Sequence, residues 1–149
     1  VQTCALPIYP AVALAAAVGK PDLKVGELPV VYVQLKPGQQ ASEDELLAHA
    51  AAHIHERAAV PKDAWIIEAI PLTAVGKTFK PALRFDAIAR VYREQLADLP
   101  AVQQVEVRSD ERCGQLAYIR LAAADAALEQ LIGERLAGFA VGYRLEYAH

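Results

Sequence analysis

The residues of this chain whose types and spacing could carry out chemistry lie in one stretch, PLTAVGKTFKPALR, from Pro71 to Arg84. It gathers Lys77, Lys80 and Arg84 in an otherwise acidic chain, with Gly76 beside Lys77 and prolines at Pro71 and Pro81. A lysine ammonium is a point charge on a flexible stem, which suits it to an anion that moves during a reaction. Gly76-Lys77-Thr78 has the ending of a nucleotide-binding P-loop, but that motif needs a glycine five positions before Gly76, where Pro71 stands. It also needs a helix directly after the hydroxyl residue, and Pro81 delays the helix start. The P-loop reading fails. On the residues alone, Lys77 is either a solvated loop lysine or a group that handles an anion, and the pattern leaves that choice open.

The elements that must position this stretch follow from periodicity and punctuation. Val12 to Val18 reads as a strand cut short by Gly19 and Pro21, and Val30 to Leu35 (VVYVQL) as a second strand that pairs with it. Ser42 before Glu43, Asp44 and Glu45 is a capping box that starts a helix. Leu46, Leu47, Ala50, Ile54 and Ala58 supply its apolar stripe, and Pro61 ends it. Ala64 to Ala69 gives a third strand with Trp65 as a core anchor. Lys77 then falls in a loop, and a helix begins near Pro81, buries Leu83, Ala87, Ile88, Val91 and Tyr92, and ends near Ala97. After Asp98-Leu99-Pro100 the pattern alternates. A hairpin with Val105 and Val107 in one strand and a turn at Ser109 to Gly114 leads to a strand ending at Leu121. A helix from about Ala124, stopped by Gly138, and a last strand through Tyr143 and Tyr147 complete a β-β-α-β extension. The fold class is α+β: a small three-stranded sheet with flanking helices, followed by that extension.

Other features bound the function. The 149 residues are 54% hydrophobic with a formal net charge of -3, which fits one or two small globular units and gives no general attraction to nucleic acid or an anionic membrane. The longest apolar run, around Ala11 to Val18, is too short to span a bilayer. His49 and His53 are four apart on the first helix, but Ala50-Ala51-Ala52 between them lacks the glutamate of the zinc-protease pattern, so no metal site is expected. Val1 to Ile8 (VQTCALPI) can be back-translated into an adapter used in sequencing libraries. The segment is therefore expected to be an assembly scar, with the natural gene beginning upstream. Cys4 then carries no meaning, Cys113 stands alone without a disulfide framework, and a cytoplasmic location is expected.

PLTAVGKTFKPALR resembles the C-terminal signature of the adenylate-forming superfamily, the acyl-CoA synthetases and their relatives: Pro-x-Thr-x-x-Gly-Lys-x-x-(Arg or Lys)-x-x-Leu-Arg. The matching positions are Pro71, Thr73, Gly76, Lys77, Lys80, Leu83 and Arg84. YPAVALAAAVGKPDLKVGELPVVYVQLKPG, from Tyr9 to Gly38, and the step Ala59-Val60-Pro61 are also similar to that family's text. The resemblance spans about Tyr9 to Leu96. Departures are Lys80 where arginine is usual, Tyr9 where histidine is usual, and everything from Leu99 onward, which matches nothing in the shorter members.

This resemblance implies the lid domain (residues 9–97) of an acyl-CoA synthetase, with 98–149 as an extension of unassigned role. Such enzymes join a carboxylic acid to AMP from ATP with Mg2+, then pass the acyl group to coenzyme A. The lysine matching Lys77 would be catalytic in the first step, with Thr73, Gly76, Lys80 and Arg84 in the supporting loop. The phosphate loop and acyl pocket of the family lie upstream of Tyr9, so the expected partners are the missing N-terminal adenylation domain and a small carboxylic acid. The isolated chain is expected to hold no cofactor and to be inactive. The rival expectation is a freestanding, non-catalytic interaction module that docks on a separate protein.

Overall fold

In the computed structural model, which describes residues 9–149, the run VVYV at Val30–Val33 is the centre of the first sheet. All four side chains are fully buried, each worth about 1.5–3 kcal/mol of transfer free energy. Such a run has no polar alternation because the strand is covered on both faces. Strands β1 (Val12–Asp22), β2 (Gly26–Leu35) and β3 (Asp63–Ile66) form this sheet in the order β1-β2-β3. β2 and β3 run parallel, with Val31 opposite Ala64 and Tyr32 opposite Trp65. By packing, the chain divides into two compact units: residues up to Lys20 with Glu27–Arg84, and Pro21–Gly26 with Phe85–His149. The reading of Val1 to Ile8 lies outside the described residues.

β1 is longer than its sequence suggested, because it runs through both residues that were expected to stop it. Pro21 is tolerated on an edge strand, where no ladder partner needs its missing N–H. Gly19 leaves the space over which the Glu27 side chain lies, since a Cβ there would overlap the carboxylate. Helix α1 (Glu43–His53) starts with the capping box: Ser42 Oγ accepts from Glu45 N–H at 3.1 Å and Glu45 accepts from Ser42 N–H at 3.2 Å. Leu46 and Ala50 are buried against Val31, Val33 and Ala64. The helix stops well before Pro61. Ile54 turns extended and packs on the same core, and a short 3-10 turn at Arg57–Ala59 follows. β3 is likewise shorter than Ala64 to Ala69: beyond it, the Ile70 N–H is taken by the Gln34 side chain instead of a strand partner. Trp65 is half-buried, edge-on to the buried Tyr32 ring at 5.3 Å.

Helix α2 (Lys80–Gln95) carries the expected stripe of Leu83, Ala87, Ile88, Val91 and Tyr92, all buried. The composition changes at Asp98, where helix gives way to strand. The division by packing comes earlier, between Arg84 and Phe85, because Ile88, Val91 and Tyr92 belong to the second core. That core joins them to Val105, Val107, Ala117, Ile119, Leu121, Ile132 and Leu136. Its sheet has the order β4-β5-β6, from β4 (Val102–Asp110), β5 (Gly114–Leu121) and β6 (Tyr143–Tyr147). β4 and β5 are antiparallel, and β6 returns parallel to β5 through helix α3 (Ala126–Leu136). Tyr92 donates its hydroxyl proton to the Val141 carbonyl, and burial pushes its pKa up to about 12. Arg135 grips Asp98 with both terminal nitrogens and also donates to the Gln95 carbonyl, so α3 is tied to the end of α2. From Phe85 to His149 the chain has seven arginines and no lysine, so every side-chain amine lies before Pro81.

Candidate functional site

The Lys77 loop is a miniature hairpin built from its own sequence. Leu72 and Thr78 form an antiparallel bridge, and Phe79 N–H donates to the Pro71 carbonyl at 2.8 Å. Inside that frame, Thr73 N–H donates to the Lys77 carbonyl at 2.6 Å, and Gly76 N–H donates to the Thr73 carbonyl at 2.9 Å. Gly76 has φ +82°, a left-handed conformation that costs an ordinary L-residue about 1–2 kcal/mol, so glycine is the residue that closes the turn. Thr73 Oγ1 then accepts from the Lys77 N–H at 3.1 Å. The backbone of Lys77 is fully engaged while its side chain is exposed. Among the described residues, the Lys77 ammonium makes no hydrogen bond or ion pair. A fixed backbone carrying a mobile charge is the arrangement in which an external anion meets no internal competitor.

Lys80 opens α2 and Arg84 lies one turn later, both exposed. They line one cavity of about 360 Å³ with Gly19, Glu27, Pro29 and Ala58, whereas Lys77 does not line it. The structure therefore brings Lys80 and Arg84 together and leaves Lys77 on its own turn. Thr78 is bonded in the bridge to Leu72 and the helix begins only at Lys80, so the geometry is unlike a P-loop. Three features escaped the residue pattern. One is the bond from Thr73 to Lys77, which a threonine four residues ahead of the lysine could have signalled as a side-chain turn. Another is Glu27 of β2, which lines the same cavity as Lys80 and Arg84. The third is an apolar rim, with Leu72, Val75 and Phe79 at 49%, 81% and 44% exposure.

The other candidates resolve into structural contacts. His49 and His53 stack at 4.1 Å, His53 Nδ1 lies 2.8 Å from the His49 carbonyl oxygen, and Tyr9 meets His49 edge-on at 5.1 Å. Among the described residues, no three His, Cys, Asp or Glu side chains come together as a metal site. Cys113 is exposed in the β4–β5 turn, where its thiol donates to Asp110 Oδ1 at 3.0 Å. That hydrogen bond, with desolvation and the carboxylate charge, raises the thiol pKa above its usual value. Among the described residues, no helix is long and apolar enough to cross a membrane.

The chain is similar to known proteins. The family model for the AMP-binding enzyme C-terminal domain matches residues 5–77. A marinolic acid–CoA ligase of Pseudoalteromonas sp. is 38% identical over 125 residues, covering 83% of this chain and 19% of the ligase. An acetyl-coenzyme A synthetase of Methanothrix thermoacetophila is 35% identical over 85 residues, covering 55% of this chain and 13% of the synthetase. Among solved structures, a fatty acyl CoA synthetase of Mycobacterium tuberculosis superposes with a TM-score of 0.52 at 29% identity, over 58% of this chain and 17% of that one. The anthranilate CoA ligase AuaEII, in complex with anthranoyl-AMP, superposes at 0.53 with 28% identity over 58% of this chain and 17% of that one. The chain thus spans less than a fifth of the length of these relatives. The match to the marinolic acid ligase leaves only about a sixth of the chain outside, so it extends well into the second unit.

Proposed function

Because the chain belongs to the C-terminal domain family of AMP-binding enzymes, within the adenylate-forming superfamily, we propose that it is the lid segment of an ATP-dependent acyl-CoA synthetase. Lys77 is its adenylating lysine. The observation that carries this reading is a lysine whose backbone is held by a closed turn and whose ammonium has no partner among the described residues. In the first half-reaction a substrate carboxylate oxygen attacks the α-phosphorus of ATP, forming the acyl-adenylate and expelling pyrophosphate. Lys77 bridges the carboxylate and the α-phosphate and offsets charge as the phosphorus becomes five-coordinate, without transferring a proton. Gly76 removes the side chain that would obstruct approach, and Lys80 and Arg84 add local positive field beside the turn. The second half-reaction passes the acyl group to coenzyme A.

The donor set fits an anion at Lys77, and no three His, Cys, Asp or Glu side chains come together as a metal site among the described residues. On this reading Mg2+, the body of ATP and the acid are held by the parent's larger adenylation domain, and the 149-residue chain is expected to hold none of them by itself. Residues 9–97 form the lid and 98–149 its extension, working in the cytoplasm. The interaction-module reading is disfavoured by the long match to the marinolic acid ligase, in which the extension too accompanies a ligase. The test has two arms. The purified chain should show no ATP–pyrophosphate exchange, and any Lys77-dependent exchange would overturn the lid assignment. In the parent-length enzyme, Lys77→Ala should suppress adenylation far more than thioester formation from preformed adenylate; equal losses would sink the assigned role.

A further inference from the structure

We infer that Thr73 is the positioning residue for Lys77, its hydroxyl fixing the peptide plane from which the lysine side chain departs; this rests on the adenylating role proposed for Lys77. Three hydrogen bonds connect the two residues or the turn between them. Thr73 N–H donates to the Lys77 carbonyl at 2.6 Å, the Thr73 carbonyl accepts from Gly76 N–H at 2.9 Å, and Thr73 Oγ1 accepts from Lys77 N–H at 3.1 Å. The first two are backbone bonds that any residue could make. Only the third depends on a side chain, and it ends on the lysine.

The rest of the molecule shows that this choice is not a general feature of its turns. Two others follow the sequence Asp-x-x-x-Gly. Asp22 Oδ1 accepts from the N–H groups of Lys24 and Val25, both at 2.9 Å, before Gly26 at φ +83°. Asp110 Oδ1 accepts from Arg112 and Cys113 N–H at 2.9 and 3.1 Å, before Gly114 at φ +78°. In both, the side chain at the first position caps amides of the third and fourth residues, inside the turn. At Thr73 the glycine comes one place earlier, so the fifth residue is Lys77 and the cap falls on it. Carboxylates hold the other two turns, whereas a neutral hydroxyl holds this one. A carboxylate at position 73 would lie beside the ammonium and pair with it, competing with an incoming phosphate. A hydroxyl orients the lysine backbone without drawing its charge.

The consequence is a defined launch point for a four-carbon arm. Fixing the peptide narrows the volume that the ammonium searches, which lowers the entropic cost of reaching the transition-state geometry while leaving the arm free to withdraw.

The experiment compares Thr73→Val, which keeps shape and deletes the acceptor, with Thr73→Ser, which restores it. In the 149-residue chain, solvent exchange of the Lys77 amide measured by NMR should quicken by up to about tenfold in T73V, as expected for losing one hydrogen bond. Core amides such as Val31 should be unchanged, and T73S should return to the wild-type rate. In the parent-length enzyme, T73V should lower the single-turnover adenylation rate about tenfold with KM for ATP unchanged. Thioester formation should be unaffected, and T73S should rescue adenylation. Unchanged Lys77 exchange in T73V, or failure of T73S to rescue, overturns the inference. Lys77→Ala, run in parallel, separates the two claims. If it abolishes adenylation while T73V does nothing, Thr73 alone is misassigned; if it leaves adenylation intact, both assignments fall.

Discussion

The Asp110–Gly114 and Thr73–Lys77 turns each present a cation to solvent, and they use opposite means. In Asp110–Gly114 the exposed Arg112 is part of a turn whose capping group is a carboxylate, and that carboxylate also accepts a hydrogen bond from the Cys113 thiol. In Thr73–Lys77 the capping group is neutral and the cation sits at the turn's last position. The contrast extends beyond the turns. In the second unit Arg135 is committed to Asp98, Arg93 donates to the Val105 carbonyl at 3.0 Å, and Arg108 pairs with Glu106 at 2.9 Å and lies over the Tyr118 ring. Those arginines hold a fold together. The lesson is that exposure alone does not set one cation apart; what distinguishes Lys77 is a rigid mount combined with the absence of a partner among the described residues.

Substitutions can break this comparison at several strengths. The largest expected effect is on Lys77. In the parent-length enzyme, Lys77→Ala should slow adenylation by about 10²–10³-fold, the range found when one preorganised charge-stabilising group is removed. Arg112→Ala should leave that rate at the wild-type value; a comparable loss would mean that exposed cations are interchangeable here. Next are the glycines. Gly76 and Gly114 have nearly the same positive φ, and a Cβ at either meets nothing within 4 Å, so Gly→Ala imposes backbone strain alone, about 1–2 kcal/mol. At Gly114 this should appear as a lower denaturation midpoint of the chain with adenylation unchanged. At Gly76 it should appear as adenylation slowed by about tenfold, because strain there shifts the lysine mount.

The smallest effect concerns the second turn's carboxylate. Because Asp110 raises the Cys113 pKa, less thiolate is present at any given pH, and iodoacetamide should label Cys113 more slowly than a model peptide thiol. Asp110→Asn removes the charge and should speed labelling a few-fold at pH 8. Its pH–rate profile should move to lower pH by the same change. A profile unmoved by the substitution would show that the carboxylate does not govern the thiol.

Much of the fold was legible because local and long-range signals agreed. Ser42 and Glu45 announced α1, VVYV announced the buried strand, and alternation from Val105 onward announced the second sheet. The misjudged boundaries were places where a tertiary contact outweighed a local rule. Pro21 sits on an edge where it costs nothing, and Ile54 leaves its helix to pack on the core. Lys77 was legible as a loop lysine, and its motif identified the family. Its lack of a partner was not legible, since no one-dimensional pattern states where carboxylates are absent. Nor was the placing of Lys80, Arg84 and Glu27 around one cavity, which depends on elements distant in sequence.

The division of cations along the chain has a further consequence in acyl chemistry. An activated acyl group reacts with a free amine but finds no nucleophile in a guanidinium, which stays protonated at any physiological pH. With seven arginines and no lysine from Phe85 to His149, that stretch offers an acyl donor no side-chain amine, and acylation of lysine can fall only on residues up to Lys80. A mass map of a chain exposed to a reactive thioester or anhydride would therefore show its acylated side-chain amines confined to the part that carries the Lys77 turn.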